Sequence, residues 1–273
     1  MISKILLLSL LFVCPMLMNA QGVKMATKED IEAAVNAVPC KTEERLEGVR
    51  KQFLAAGAGE ADIKIEKFDK DKISNVVVYK KGSTDETVIV GAHYDKVDSG
   101  CGAVDNWTGV VVMTQLYKAI APLTTKKSYI FVAFDKEEIG LRGSSQMVKA
   151  MTPEQIANTC MMLNFDSFGQ AAPMALRTVA SPKLLDLAKE IGKDGGLKFQ
   201  DVEIPGASAD SASFRDKKLP AITISGLAGN WESILHTAND KVKNVNMDSV
   251  YVGYRFGLIF AARLDAAGCK DYN

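Results

Sequence analysis

The sequence of 273 residues is poor in histidine, net charge and long apolar runs. It contains only two histidines, and its 33 acidic residues balance its 33 basic residues. Without an excess of positive charge, neither nucleic acid nor an anionic membrane is an expected partner. Beyond the N-terminal segment, no apolar run is long enough to span a bilayer. The apolar content of 47% does suffice for one sizeable buried core.

The N-terminal segment has the features of an export signal. A lysine precedes an apolar run over residues 5–18, and Ala20 is a suitable small residue before a cleavage point. A membrane anchor is disfavoured because the run is short and Pro15 interrupts it. We therefore predict a signal peptide over residues 1–20 and a single domain over residues 21–273. The mature protein is expected to be secreted or periplasmic and not held at a membrane.

Export would leave four cysteines in a compartment where disulfides persist, namely Cys40, Cys101, Cys160 and Cys269. Four cysteines allow three pairings. A bond between Cys101 and Cys160 is disfavoured, because about six strand residues, or ~20 Å, separate the opposite strand ends where they are expected. A bond between Cys40 and Cys269 is favoured, since it would join the N-terminal helices to the end of the last helix. The other two cysteines would then be free thiols.

Strands and helices alternate along most of the chain. Apolar or alternating segments predict strands over residues 63–68, 73–79, 87–92, 129–134, 160–166, 174–179, 198–204 and 221–225. Helical periodicity predicts helices over residues 26–38, 42–56, 109–120, 143–150, 182–191 and 246–267. Residues 26–80 supply helices and antiparallel edge strands of the same domain. The expected fold is α/β, with a mixed, mostly parallel-cored sheet covered by helices on both faces.

Both histidines lie near acidic residues at predicted strand ends or in the loops beyond them. His93 ends a buried strand, and His236 lies in a loop late in the chain. The acidic residues expected at the same rim are Asp105, Glu137, Glu138 and Asp166. Open α/β sheets bind ligands at the carboxyl ends of their strands, so these side chains are expected to converge there. Imidazole and carboxylate ligands in this number suit two zinc ions better than one.

Each of these residues, taken alone, has a simpler explanation. Asp105 could cap the helix that follows it, and the pair Glu137–Glu138 could be a charged turn. A single histidine is also more often a satisfied polar group than a metal ligand. The occurrence of both histidines beside acidic loops at strand ends favours the metal site over these explanations.

Five segments, in order, resemble the motifs of the zinc-dependent exopeptidases of metallopeptidase family twenty-eight. They are Gly-Ala-His93-Tyr-Asp95, Asp105-Asn-Trp-Thr-Gly109, Glu137-Glu138-Ile-Gly-Leu-Arg-Gly-Ser144, Asn164-Phe-Asp166 and His236-Thr-Ala-Asn-Asp240. That family includes secreted bacterial leucyl-type aminopeptidases, glutamate carboxypeptidase and, as a divergent relative, glutaminyl cyclase. The resemblance implies a zinc aminopeptidase-like α/β/α sandwich, a peptide substrate and two Zn²⁺ ions as cofactors.

The resemblance also implies which side chains bind each ion. One zinc ion would be held by His93 and Asp166, and the other by Glu138 and His236. Asp105 would bridge the two ions with one carboxylate oxygen on each. Family members often carry a cis peptide after the bridging aspartate, so the peptide bond that follows Asp105 is expected to be cis.

Three further residues would support these ligands. Glu137 would be the general base for a water activated by the metals. Asp95, two residues after His93 in extended chain, would accept the second N–H of that imidazole. Asp240 would do the same for His236, or would simply form a turn.

Two departures from the family pattern leave the oxyanion stabiliser unassigned. Ala209-Asp210-Ser211 stands where many relatives have serine, aspartate and histidine, and Leu235 stands where some have a tyrosine. Two other functions are considered: a glutaminyl cyclase-like aminoacyltransferase that uses one zinc, and a catalytically silent binding protein. The compact turn after Glu138 favours a peptidase over the cyclase. A complete ligand set accompanied by Glu137 disfavours a silent protein.

Overall fold

A single eight-stranded sheet runs through the part of the chain that the computed structural model describes, residues 25–272. Its strands are β1 (Ile63–Phe68), β2 (Ile73–Lys80), β3 (Thr87–His93), β4 (Ser128–Phe134), β5 (Thr159–Phe165), β6 (Met174–Leu176), β7 (Gln200–Val202) and β8 (Ala221–Ser225). Their spatial order is β1-β2-β4-β3-β5-β8-β6-β7. The signal peptide predicted over residues 1–20 lies outside the described residues.

The central strands of the sheet are parallel. Strands β4, β3, β5 and β8 pair in parallel with one another in that order, whereas β2 pairs antiparallel with β4, and β6 antiparallel with β8. Strands β1 and β2 form the antiparallel meander predicted at the edge. This topology confirms the predicted mixed, mostly parallel-cored sheet.

Strand β3 shows why the central strands read as continuous apolar runs. Successive side chains of a strand point to opposite faces, so Val88 and Val90 face one side and Ile89 faces the other. Val88 and Val90 belong to the larger hydrophobic core, while Ile89 packs in a second core with Met147 and Phe214. All three β3 side chains are fully buried, because helices cover both faces of the sheet.

Eight α-helices surround this sheet within the described residues. They are α1 (Lys28–Asn36), α2 (Thr42–Ala55), α3 (Thr108–Ile120), α4 (Arg142–Ala150), α5 (Pro153–Asn158), α6 (Pro182–Asp194), α7 (Ser211–Asp216) and α8 (Met247–Ala266). Helices α5 and α7 were not predicted, since six residues are too few to display helical periodicity. Helix α5 did carry a local signal, a capping box between Thr152 and Gln155. No helix over residues 25–272 combines the length and apolarity needed to cross a membrane.

Two predicted strands are shorter than expected. The strand predicted over 174–179 ends at Leu176 and is followed by a single 3-10 turn, Arg177–Val179. The strand predicted over 198–204 is reduced to β7. Strand β7 is the edge strand on this side of the sheet, where a strand has only one pairing partner, and β6 is the strand next to it.

The predicted disulfide between Cys40 and Cys269 is wrong. The structure joins Cys40 to Cys101 and Cys160 to Cys269, so neither of the remaining cysteines is a free thiol. Cys40 precedes α2, whose first turn lies beside the carboxyl ends of the strands, where Cys101 is found. Cys160 lies near the start of β5 at the opposite end, to which the chain returns after α8. The argument against a Cys101–Cys160 bond is correct, but nearness of Cys40 and Cys269 to the two ends of the chain did not make them a pair.

Candidate metal centre

The carboxyl ends of the parallel strands place the predicted site residues together. His93 is the last residue of β3, and Asp166 directly follows β5. Glu137 and Glu138 lie in the turn that follows β4, which pairs with β3 in register up to His93 and Phe134. Parallel pairing brings these strand ends to one rim of the sheet.

Asp105 lies between the two histidines. Its Oδ1 is 3.2 Å from Nε2 of His93, and its Oδ2 is 3.0 Å from Nε2 of His236. Nε2 of His93 is also 3.6 Å from Oδ1 of Asp166, and Nε2 of His236 is 3.0 Å from Oε2 of Glu138. The side chains therefore form two sets of three that share Asp105, each with potential ligand atoms within 4.8 Å of one another.

Asn106 and Gly109 fix the loop that carries Asp105. The Asp105–Asn106 peptide bond is cis, as expected. The Asn106 side chain donates to the carbonyl of Phe165 at 3.0 Å and accepts from the N–H groups of Gly109 and Ser167, both at 3.0 Å. A Cβ atom at position 109 would lie 2.2 Å from Asn106 Oδ1 and 2.5 Å from the Phe165 carbonyl oxygen. Only glycine permits this approach of α3 to the end of β5.

Two buried aspartates hold the site loops in place, because their carboxylates accept hydrogen bonds from backbone N–H groups of those loops. Asp240 accepts hydrogen bonds from the N–H groups of Val104 at 2.6 Å and Asp105 at 3.1 Å, whereas the sequence suggested that it accepts from the imidazole of His236. Asp240 therefore anchors the loop of Asp105 and not His236. The sequence offered no sign of this partner, because any backbone N–H can donate to a carboxylate.

Asp95 plays the equivalent part for the two glutamates. It accepts hydrogen bonds from the N–H groups of Glu137 at 3.0 Å and Glu138 at 3.2 Å. Its Oδ1 also lies 3.4 Å from Nδ1 of His93, but that nitrogen makes no hydrogen bond within the described residues. Asp95 therefore lies where the sequence placed it, with its hydrogen bonds directed to the glutamate turn.

The backbone is strained around the site. Four of the six non-glycine residues with positive φ in the described chain are Lys136, Leu141, Ser167 and His236. Each belongs to a segment that carries a site residue, and φ at His236 itself is 59°. Residues held in this left-handed region cost free energy and persist where the surroundings enforce them, which is common at functional sites.

The electrostatics of the cluster favour a cation. Hydrogen bonds that His236 donates to Asp105 and then to Glu138 raise the pKa of its imidazole to about 10, despite partial burial. Burial lowers the pKa of His93, but Glu137 and the neighbouring aspartates raise it well above its usual value. Burial, with a contribution from Asp105, raises the pKa of Glu138, and its Oε1 has no hydrogen-bond partner among residues 25–272. Bound divalent cations would supply the positive charge that these carboxylates share, so the residues fit zinc.

Two buried charged residues beside the site were not predicted, Asp210 and Arg45. Asp210 is fully buried next to α7, and neither of its carboxylate oxygens has a hydrogen-bond partner within the described chain. Burial raises its pKa to about 7, with further contributions from Asp166 and Asp95 against the lowering effect of His93. The Ala209-Asp210-Ser211 segment was the available signal for Asp210. Nothing in the sequence distinguished Arg45 from the other charged residues of the helix predicted over residues 42–56.

The fold and the cluster define an α/β protein with a candidate metal centre at the carboxyl ends of its parallel strands. The chain belongs to peptidase family M28, because the sequence model of that family matches residues 75–252. Leucine aminopeptidase 2 from Arthroderma otae is 25% identical over 238 residues, which are 76% of this chain and 48% of that protein. The chain spans only about half the length of such leucine aminopeptidases.

Solved structures share the fold at low sequence identity. A zinc aminopeptidase from Bacillus subtilis has a TM-score of 0.64 at 20% identity, and the match covers 73% of this chain and 52% of that chain. A glutaminyl cyclase from an Acidobacteriales bacterium has a TM-score of 0.73 at 16% identity, with 88% and 94% covered. These similarities confirm the aminopeptidase-like α/β fold.

Proposed function

We propose that this protein is a zinc-dependent aminopeptidase that removes N-terminal residues from peptides. The observation that carries the proposal is the position of Asp105, which presents one carboxylate oxygen to His93 and the other to His236. A carboxylate shared by two ligand sets suits two cations rather than one. Membership of peptidase family M28 and similarity to aminopeptidases support peptide hydrolysis as the reaction.

In this proposal each ligand set holds one zinc ion. The first set is His93, Asp105 and Asp166, and the second is Asp105, Glu138 and His236. Bound zinc would polarise the scissile carbonyl and lower the pKa of a water in the site. Asp95 and Asp240 keep the ligands in place through the backbone N–H groups they accept from.

Glu137 is the proposed general base. Its Oε2 lies 4.0 Å from Nε2 of His93, yet Glu137 belongs to neither ligand set. Its neighbour Glu138 contacts His236, so the two adjacent glutamates have separate partners. Glu137 would take a proton from the attacking water and return it to the departing amine.

Export is part of the proposal. The two disulfides, Cys40–Cys101 and Cys160–Cys269, support a secreted or periplasmic protein, since such bonds persist in oxidising compartments. The proposed partner is a peptide.

A panel of aminoacyl-anilides tests the activity. We expect hydrolysis that a chelator abolishes and zinc restores. The second candidate is a glutaminyl cyclase-like acyl transfer, since the chain covers 94% of one structure with that name. Ammonia release from a peptide with N-terminal glutamine, without anilide hydrolysis, would replace the aminopeptidase by the cyclase. Inactivity on both substrates in the two-zinc form would indicate a binding protein.

A further inference from the structure

Arg45 is a fully buried arginine in the first turns of α2, next to the metal centre. Its exposed fraction is 0%, although arginine is seldom fully buried. Within residues 25–272, no carboxylate lies close enough to form an ion pair with it. Burial of a charge without a direct ion pair is costly, and four site carboxylates offset part of that cost from a longer distance, namely Asp95, Asp105, Asp240 and Glu138.

The guanidinium group of Arg45 donates to four backbone carbonyls. Nε donates to Tyr94, and Nη1 donates to Pro39 at 3.2 Å and to Cys101 at 3.1 Å. Nη2 donates to Gly102 at 3.3 Å. The guanidinium also lies over the ring of Trp107, 5.4 Å from its centroid. This indole follows Asp105 by two residues, so the arginine contacts the chain on both sides of that aspartate.

Three of these four acceptors, all except Pro39, belong to the two segments that carry His93 and Asp105. Tyr94 directly follows His93, while Cys101 and Gly102 lead into the irregular turn that carries Asp105. One rigid planar group therefore connects both segments with fixed donor directions, which a flexible lysine cannot reproduce. Burial lowers the pKa of Arg45 to about 10, so the group still carries its charge at neutral pH.

We propose that Arg45 is a positioning residue that sets the distance between His93 and Asp105 and thereby the zinc affinity of the centre. This inference rests on the proposed zinc function for its metal readout. Residues that orient metal ligands from outside the coordination sphere typically contribute 10–100-fold to affinity. Arg45 would do so entirely through backbone carbonyls.

Positioning of the ligands by Arg45 should strengthen zinc binding, whereas its positive charge should weaken it. Because the two effects have opposite signs, variants can separate them. A positive charge near the site repels a cation, so its loss alone would tighten binding. Arg45→Lys keeps the charge and removes the planar fork, whereas Arg45→Met removes both. If Arg45 acts by positioning, both variants bind zinc more weakly. If it acts by charge alone, Arg45→Lys matches the wild type and Arg45→Met binds zinc more tightly.

The measurement is a zinc titration of the metal-free full-length protein against a competing chelator, well below the unfolding temperature. We expect the dissociation constant of Arg45→Lys to rise by about 10–100-fold. Lys127→Met is the matched control, because Lys127 is also fully buried but pairs with Glu86, 3.1 Å away at the opposite ends of the strands. It should lower thermal stability without changing zinc affinity. An Arg45→Lys constant within twofold of wild type, or an equal loss in Lys127→Met, would overturn the proposal.

Amide hydrogen exchange of the metal-free protein separates this inference from the zinc function. The N–H groups of Cys101, Val104 and Asp105 all donate to Asp240, at 2.7, 2.6 and 3.1 Å. Arg45→Lys should speed their exchange, and Lys127→Met should not. If the wild type binds no zinc, the proposed function fails and this exchange still decides the role of Arg45. Unchanged exchange at these amides would refute it.

Discussion

Replacement of the two adjacent glutamates tests the division of roles in the site. Glu137→Gln removes a carboxylate that lies in neither ligand set, while Glu138→Gln removes one whose Oε2 is 3.0 Å from Nε2 of His236. Both changes are nearly isosteric, and the backbone N–H groups of both positions remain bonded to Asp95. The pair therefore differs mainly in which side-chain function is lost.

The expected magnitudes differ in kind. General base catalysis contributes ~10²- to 10⁴-fold, which is about 3–5 kcal/mol of transition-state stabilisation. Glu137→Gln should therefore lower kcat on aminoacyl-anilides by ~10²-fold or more and leave two zinc ions bound. Glu138→Gln should lose the zinc ion on the His236 side. A charged turn residue without a catalytic part would change the energetics by only ~0–1 kcal/mol.

The assay combines elemental analysis of the purified variants with initial rates at saturating substrate. Circular dichroism of each variant checks that the fold is retained. If the Glu137→Gln protein keeps both metals and more than about a tenth of wild-type turnover, the loss of rate is smaller than general base catalysis contributes, and Glu137 has no part in the mechanism. Loss of a zinc ion from that variant would instead make Glu137 a ligand.

Three further outcomes are expected. Asp105→Ala should weaken both zinc sites, measured by zinc titration, and loss of only one ion would contradict its bridging position. Cys101→Ser and Cys269→Ser each open one disulfide loop, with sequence separations of 61 and 109 residues, so chain entropy predicts losses of about 4 and 5 kcal/mol in unfolding free energy. Only Cys101→Ser should also weaken zinc binding, and equal losses of zinc affinity in the two variants would contradict this. Gly109→Ala should lower the unfolding free energy by ~1–3 kcal/mol, measured with denaturant, because its Cβ would lie 2.2 Å from a side-chain oxygen. Gly229→Ala is the control and should be near neutral, since its Cβ would have no neighbour within 4 Å; equal stabilities of the two variants would refute the close approach.

The central sheet could be predicted because burial on both faces leaves a direct trace in the sequence. Strands β3 and β5 are largely apolar and are buried, and a potential ligand ends β3 or directly follows β5; parallel pairing then determines where those ligands meet. Short helices such as α7 leave no comparable trace, since six residues complete fewer than two turns.

The surroundings of the site were harder to predict, because they depend on which end of the sheet each segment reaches. The pairing of Cys40 follows from the position of the first turn of α2, which no local pattern encodes. Asp240 and Arg45 act on backbone groups, and these are the same at every position of a chain. Sequence patterns can identify residues that carry reactive side chains, but they do not identify the carbonyls and amides that hold them.

The bridging position of Asp105 is the central claim, and anomalous diffraction at the zinc edge from zinc-loaded crystals tests it most directly. We predict two zinc peaks about 3.5–4 Å apart, one beside His93 and the other beside His236, with one carboxylate oxygen of Asp105 on each. A single peak at zinc excess, or two peaks of which only one contacts Asp105, would contradict the two-metal account.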